Sequence, residues 1–243
     1  MYMVDKKQYN AVITISSNNR YEKINDLLNQ VFTQTTKYEF LVIILNDNSN
    51  DERYNTLKND YEEIVYVSNS TGGKKETYYL AINQLWNELS KYDYDVNIQL
   101  DDDFILCENF LNIALDGYYE MKKKSSKYMA FSLHLYSFNK FKPLGEDWFD
   151  ENKHFVDGGT MYSKELMEKI DYKLNNIKDR VKVSGHFSSF CWIRMKEYIE
   201  EYGYKVYRFR NSLVKHNGND DSRLHPIIRN VKKIYTKNFI DDT

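Results

Sequence analysis

Short apolar runs alternate with amphipathic stretches through the first half of the chain. Ala11, Val12, Ile13, Thr14 and Ile15 form a β-branched run suited to a buried strand. Over residues 20–32, apolar side chains recur at Ile24, Leu27, Leu28, Val31 and Phe32, the stripe of an amphipathic helix. Residues 40–45 are a second continuous apolar run, closed by the polar turn 46–51, and residues 64–67 are a third. Gly72 and Gly73 open a helix carrying Leu80, Ile82, Leu85 and Leu89, and residues 96–100 form a fourth strand that ends in three aspartates. Continuous apolar strands separated by helices predict parallel strands covered on both faces, hence an α/β protein with a doubly wound, mostly parallel sheet. Ligands of such sheets bind beyond the carboxyl ends of the strands. The polar clusters 16–20, 46–51, 68–75 and 101–103 all follow strands and are expected to line one edge together.

The second half is less regular. It predicts a strand over 128–135, a loop through Trp148, the turn Asp157-Gly158-Gly159, helices over 164–170 and 188–202, and a strand over 205–209. No repeat, low-complexity linker or domain boundary interrupts the 243 residues, so a single domain with a nucleotide-binding first half is expected.

Composition narrows the function classes. A formal net charge of -2 gives no whole-chain basic field for nucleic acid or an anionic membrane. Cys107 and Cys191 lie far apart and read as free thiols of a reducing compartment. No apolar run approaches the roughly 18 residues of a membrane span, and residues 1–10 lack the apolar core of a signal peptide. A cytoplasmic protein is expected. The 22 Tyr are read as drift in a chain rich in Lys, Asn and Asp, or as amphipathic walls for sugars or bases.

The candidate chemistry starts with Asp101, Asp102 and Asp103. Adjacent carboxylates repel and raise each other's pKa, and a hard divalent cation removes that cost while leaving positions for phosphate oxygens. The competing reading is a solvated acidic turn. His216, in Val214-Lys215-His216-Asn217-Gly218, is a metal or phosphate ligand or an ordinary surface histidine. Asp47 either makes an Asx-turn or accepts a hydrogen bond from a nucleobase or ribose. Gly72-Gly73-Lys74-Lys75 either places backbone N–H groups and cations near a diphosphate or is an ordinary loop, and it lacks Walker spacing.

In order, these pieces resemble the GT-A fold glycosyltransferases, family 2 in particular, over roughly residues 10–220. Ser16-Ser17-Asn18-Asn19-Arg20 looks like that family's opening Pro-Thr-Tyr-Asn-Arg loop, and Gln34-Thr35 like its Gln-Thr. Asn46-Asp47-Asn48-Ser49-Asn50-Asp51 looks like its Asp-Asp-Gly-Ser-Thr-Asp turn, and Leu100-Asp101-Asp102-Asp103 like its DxD motif. Gly158-Gly159-Thr160-Met161-Tyr162-Ser163-Lys164 is similar to its acceptor-side segment. Tyr202-Gly203-Tyr204 and His216-Asn217-Gly218 are similar to its closing Gly-Tyr and His-x-Gly.

The resemblance implies a nucleotide-sugar-binding half over about 10–103, an acceptor-side half over about 104–220 and a C-terminal tail over 221–243. It places the donor nucleotide, a UDP-sugar, against Ser16, Asn19, Arg20, Asp47, Lys74 and Asp101. It places Mn²⁺ or Mg²⁺ on Asp101, Asp102, Asp103 and His216. It implies transfer to a hydroxyl of a glycan, lipid or protein. The chain departs from the pattern at Asn46 and Ser16-Ser17. It also carries no carboxylate in Gly185-His186-Phe187-Ser188-Ser189-Phe190-Cys191-Trp192, where inverting members hold an acidic pair. Asp157 and His186 are the substitute catalytic residues, and a retaining mechanism stays open. Two other readings remain. One is a glycosyltransferase for hydroxylated bases of viral or phage DNA, using Lys122-Lys123-Lys124 and residues 229–237 in a host cytoplasm. The other is a nucleotide-sugar-binding module with little turnover. A nucleotidyltransferase would open instead with a Gly-rich, basic loop after the first strand.

Overall fold

In the computed structural model the first β-branched run becomes strand β1 (Gln8–Ser17), with helix α1 (Tyr21–Phe32) after it and then β2 (Phe40–Asp47). The structure describes residues 7–61, 63–70, 72–73, 77–124, 129–133, 142–143, 149–152, 159–175, 187–209 and 212–216. A 3-10 turn (Glu52–Thr56) and the one-turn helix α2 (Leu57–Asp60) lead to β3 (Ile64–Asn69), and α3 (Tyr78–Leu89) leads to β4 (Asp93–Asp101). Then come β5 (Phe104–Leu106), α4 (Phe110–Lys124), β6 (Met129–Ser132), β7 (Lys142–Pro143), β8 (Phe149–Asn152) and β9 (Thr160–Ser163). The chain continues with α5 (Lys164–Lys169), α6 (Phe187–Glu201), β10 (Lys205–Phe209) and β11 (Val214–His216).

The main sheet has nine strands in the order β3-β2-β1-β4-β9-β6-β10-β8-β7, and β11 pairs separately with β5. From β3 to β4 every pairing is parallel. The short β9 then inserts antiparallel between β4 and β6, and β10 runs parallel to β6 but antiparallel to β8. The doubly wound α/β sheet expected from sequence is therefore present, its parallel half built from the apolar runs of the first hundred residues.

Both faces are covered. Ile13, Ile15, Val42, Ile44, Val96 and Ile98 pack with Ile24, Leu28 and Val31 of α1 and with Phe110, Leu111 and Leu115 of α4. On the other face Val12, Ile43 and Leu45 pack with Ile82, Leu85 and Trp86 of α3 and with Cys191, Met195 and Ile199 of α6. Each fully buried aliphatic side chain contributes about 1.5–3 kcal/mol, so this double cover fixes which strands lie inside. Two hydrogen bonds pair polar side chains inside this core, while Asn97 Nδ2 is left without a partner. Thr14 Oγ1 donates to Asn97 Oδ1 at 2.9 Å, and Trp86 Nε1 donates to Gln99 Oε1 at 3.0 Å.

Several elements differ from expectation. Helix α4 was not anticipated, although Phe110, Leu111, Ala114, Leu115, Tyr118 and Met121 recur at helical spacing and are buried. Its first turn depends on a distant residue: the Leu111 N–H donates to Gln34 Oε1 at 3.1 Å. Strand β7 falls inside the loop expected through Trp148 and pairs with β8, which follows that loop and pairs in turn with β10. Of the apolar residues read on α3, Ile82, Leu85 and Leu89 are buried, whereas Leu80 is 44% exposed. Among the described residues no helix is long and apolar enough to cross a membrane.

Candidate active site at the β1–β4 switch point

From β1 the chain winds outward to β2 and β3, then returns to the other side of β1 as β4. The carboxyl ends of β1 and β4 therefore diverge at a topological switch point, where such sheets bind ligands. Ser16 is paired there with Asp101 on one side and Leu45 on the other, and Ser17 with Asn46. The described residues of the polar clusters expected at one edge lie at the carboxyl ends of β1, β2, β3 and β4.

Asparagine shapes the loops. Asn19 and Asn48 have φ of 53° and 61°, left-handed values that Asn tolerates better than most residues. The Asn19 N–H donates to Ser49 Oγ at 2.8 Å, and the Asn50 N–H donates to Asn19 Oδ1 at 2.8 Å. These bonds zip the loop after β1 to the loop after β2. The Asx-type turn entertained for Asp47 is made by its neighbour instead: Asn46 Oδ1 accepts from the Ser49 N–H at 2.8 Å.

That leaves the Asp47 carboxylate for another task. It accepts from Asn69 Nδ2 at 2.8 Å and from the Gly73 N–H. Asn18 Nδ2 donates to the Asp47 carbonyl at 2.6 Å, tying the loop after β1 to the same point. Burial pushes the Asp47 carboxyl above its usual range, against the pull of the Gly73 N–H and the Asn69 amide. Gly72 is required here: a Cβ would lie 1.5 Å from Asp47 Oδ1 and 2.6 Å from Asn69 Nδ2. Gly73 has φ +80°, again the left-handed region.

The aspartates after β4 divide into two kinds. Asp101 closes the strand at intermediate exposure, whereas Asp102 and Asp103 are each 4% exposed. Arg20 forks onto both buried carboxylates, Nη1 to Asp102 Oδ1 at 2.7 Å and Nη2 to Asp103 Oδ2 at 2.5 Å. Ser17 Oγ donates to the second Asp102 oxygen, Oδ2, at 2.7 Å. Ser17 lies 2.6 Å from the hydroxyl of the fully buried Tyr54, which accepts from the Arg20 backbone N–H at 2.9 Å.

The proton order of this ring follows from donor counting. An ionised carboxylate only accepts, so the single Ser17 hydroxyl proton points at Asp102, and Tyr54 must donate to Ser17. The chain of donors then runs Arg20 N–H to Tyr54 to Ser17 to Asp102, and the Arg20 guanidinium returns to the same carboxylate. Burial pushes the Asp102 carboxyl up to about 6, against the pull of Arg20 and Ser17. Burial also opposes the charge on Arg20, but the Asp102 and Asp103 carboxylates outweigh it and leave the guanidinium more basic than usual. Arg20 Nε is buried with no hydrogen-bond partner, and an incoming anionic oxygen would satisfy such an orphan donor.

A cavity of about 280 Å³ opens beside this network, lined by Lys23, Asp26 and Gln30 of α1 and by Asp103, Phe104 and Ile105. β11 runs antiparallel to β5 with His216 opposite Phe104. The His216 backbone thus arrives one residue from Asp103, although 113 positions separate the two in sequence. Of the residues expected at the site, Ser16, Asn19, Arg20, Asp47, Asp101, Asp102 and Asp103 share this edge, with the His216 backbone beside it. Lys74, Asp157 and His186 lie outside the described residues, as does the tail 221–243.

Among the described residues no three His, Cys, Asp or Glu side chains are already gathered as a ligand set. The donor chemistry nevertheless suits a hard cation: Asp101 is partly exposed and Asp103 lines the cavity, whereas both oxygens of Asp102 are engaged. Sequence reasoning placed Ser17 and Asn69 in the polar clusters 16–20 and 68–75 without giving either a role, and it missed Tyr54. A polar residue ending an apolar strand was the available signal for Ser17 and Asn69. Tyr54 carried none.

The chain is similar in structure to residues 1–349 of S. aureus TarS, with a TM-score of 0.51 at 14% sequence identity, covering 82% of this chain and 60% of that one. Against the same protein in complex with UDP the TM-score is 0.52 at 13% identity, covering 84% and 59%. The fold is the GT-A glycosyltransferase fold, as the motif order implied. The chain spans about 60% of the length of the structures it matches. No family model and no curated protein matches it.

Proposed function

We propose that this chain is a metal-dependent glycosyltransferase that moves a sugar from a UDP-sugar to a hydroxyl group of a glycan, lipid or protein. One observation carries the reading: at the switch point of a GT-A fold, the hydrogen-bonded Asp47–Asn69–Gly72–Gly73 group, the Arg20 fork with its orphan Nε and the Asp101–Asp103 cluster lie at the same carboxyl ends of the strands. Asp47 and Asn69 suit a base and ribose, and the Arg20 Nε–H suits a phosphate oxygen. The UDP bound to the structurally similar TarS supports the choice of nucleotide. A divalent cation held by Asp101 and Asp103, with His216 as a further ligand, would supply the positive charge that stabilises the departing diphosphate. In the transfer, the bond between the anomeric carbon and the diphosphate oxygen breaks as the acceptor oxygen bonds to that carbon. The acceptor proton passes to a base, for which Asp157 and His186 are the candidates.

The DNA-directed reading draws less support. Lys122 lies 3.9 Å from Asp95, near the start of β4, and Lys124 pairs with Glu120. Asp95 is six residues before Asp101, so this basic run sits roughly 20 Å along the strand from the site at a rise of about 3.3 Å per residue.

UDP release from a panel of UDP-sugars with Mn²⁺, followed with and without Asp103→Ala, tests the proposal. Release that depends on the ion and drops at least about tenfold in the variant is expected. Undiminished release in Asp103→Ala would overturn the metal assignment, and no release from any donor would leave only a binding module.

A further inference from the structure

We infer that Arg20 is an exchangeable internal counter-cation that couples metal entry to donor binding, which rests on the metal-dependent reading above. The two arms of the guanidinium are not equivalent. Nη1 belongs to a closed ring, because Asp102 is also held by Ser17, Ser17 by Tyr54, and Tyr54 by the Arg20 backbone N–H. Displacing that arm breaks a buried circuit and strips Asp102 of its guanidinium hydrogen bond. Nη2 lies outside the ring and donates to Asp103, the member of the pair that lines the cavity. Asp103 is therefore the carboxylate that can change partners, and Asp102 is the one that keeps Arg20 in place.

The exchange has a chemical logic. Two buried carboxylates side by side require a cation, and Arg20 supplies it when no ion is present. An ion that takes Asp103 oxygen must displace a charge-assisted hydrogen bond, which weakens its binding to the empty site. Once Asp103 is taken, Nη2 is freed beside the already orphaned Nε, so two donors of one guanidinium become available to a phosphate oxygen. Metal and nucleotide then favour each other's binding, and the coupling is reciprocal. Arg20 is a positioning residue for Asp103 before the donor arrives and a donor contact afterwards.

Opposite shifts in two affinities test this. Mn²⁺ binding is measured by calorimetry on the full chain, with and without UDP, for the native protein, Arg20→Met, Arg20→Lys, Asp102→Asn and Asp103→Asn. Without nucleotide, Arg20→Met should bind Mn²⁺ about tenfold tighter than the native protein, the loss of about one charge-assisted hydrogen bond of competition. Arg20→Lys, whose ammonium cannot fork, should lie between the two. In both variants the gain in Mn²⁺ affinity produced by UDP should shrink. Asp102→Asn should retain Mn²⁺ binding and Asp103→Asn should lose it.

A merely structural Arg20 would weaken both affinities together, and that result overturns the inference. Native protein that binds Mn²⁺ with UDP, while Arg20→Met binds the free ion no tighter, overturns it and leaves the metal reading intact. No Mn²⁺ binding by any form overturns both. Should the Arg20 variants fail to fold, the Arg20 Nε–H resonance of the native protein decides the matter during a Mg²⁺ titration. It should move with the calorimetric affinity, and an unmoved resonance at saturation overturns the exchange.

Discussion

Replacing Tyr54 by Phe removes one oxygen from the ring that holds Arg20, and the cost can be worked out contact by contact. The ring of Tyr54 is fully buried, packs edge-on to Tyr21 at 5.9 Å and stays in place in the variant. The lost hydroxyl accepts from the Arg20 N–H at 2.9 Å and donates to Ser17 at 2.6 Å. A buried N–H left without an acceptor costs about 1–3 kcal/mol, and a lost net hydrogen bond about 1 kcal/mol more. Tyr54→Phe should therefore lower the stability of the metal-free protein by about 2–4 kcal/mol. Urea unfolding measures this as a lower midpoint with an unchanged slope. Ser17→Ala breaks the same ring, so the double variant should lose less than the sum of the singles. A loss below about 0.5 kcal/mol, or strict additivity with Ser17→Ala, would refute the closed ring.

Two further perturbations probe other parts of the edge. In Gly72→Ala the new methyl would fall 1.5 Å from Asp47 Oδ1, so the carboxylate must swing off Asn69 and Gly73. UDP affinity measured by calorimetry should drop about ten- to a hundredfold, or roughly 1.4–2.8 kcal/mol, with the far-UV spectrum unchanged. An unchanged affinity would remove Asp47 from the nucleotide site. The second perturbation is pH. Asp102 titrates at about 6 in the folded chain against 3.8 for an ordinary Asp, so the folded form holds a proton in this window that the unfolded chain releases. Stability from this group is therefore greatest below pH 4 and falls as pH rises to 6, by on the order of 3 kcal/mol. Unfolding in EDTA across that range should show the slope in the native protein and lose it in Asp102→Asn, and an identical slope in both would contradict the assignment.

The parts of the molecule that declared themselves in sequence are those with a local physical signature. Phe40–Leu45 is apolar at every position and Ala11–Ile15 at all but Thr14, because helices cover both faces, and that pattern alone implied a parallel sheet. The aspartates at 101–103 were informative because they end such a strand. Long-range partner choice was less legible. Arg20 lies 82 and 83 positions from Asp102 and Asp103, and nothing in Asn19-Arg20-Tyr21 says that its guanidinium turns toward them. Tyr54 is one of 22 tyrosines and is distinguished only by what it touches. The start of α4 rests on Gln34, and the pairing of β5 with β11 joins segments more than a hundred residues apart. Asn46 illustrates the finest grain: it makes the turn-forming bond that was one of the two readings of Asp47, and so leaves that carboxylate to Asn69.

The most direct test of the central claim is the melting temperature of the native chain with UDP and Mn²⁺, against UDP in EDTA. At a hundredfold excess over the dissociation constant, binding adds about 2.7 kcal/mol, which for a domain of this size raises Tm by roughly 5–10 °C. That rise is expected with UDP and Mn²⁺ together, most of it lost in EDTA and all of it in Asp103→Asn. A Tm that does not move with UDP at any Mn²⁺ concentration would contradict the claim that this edge is a metal-dependent nucleotide-sugar site.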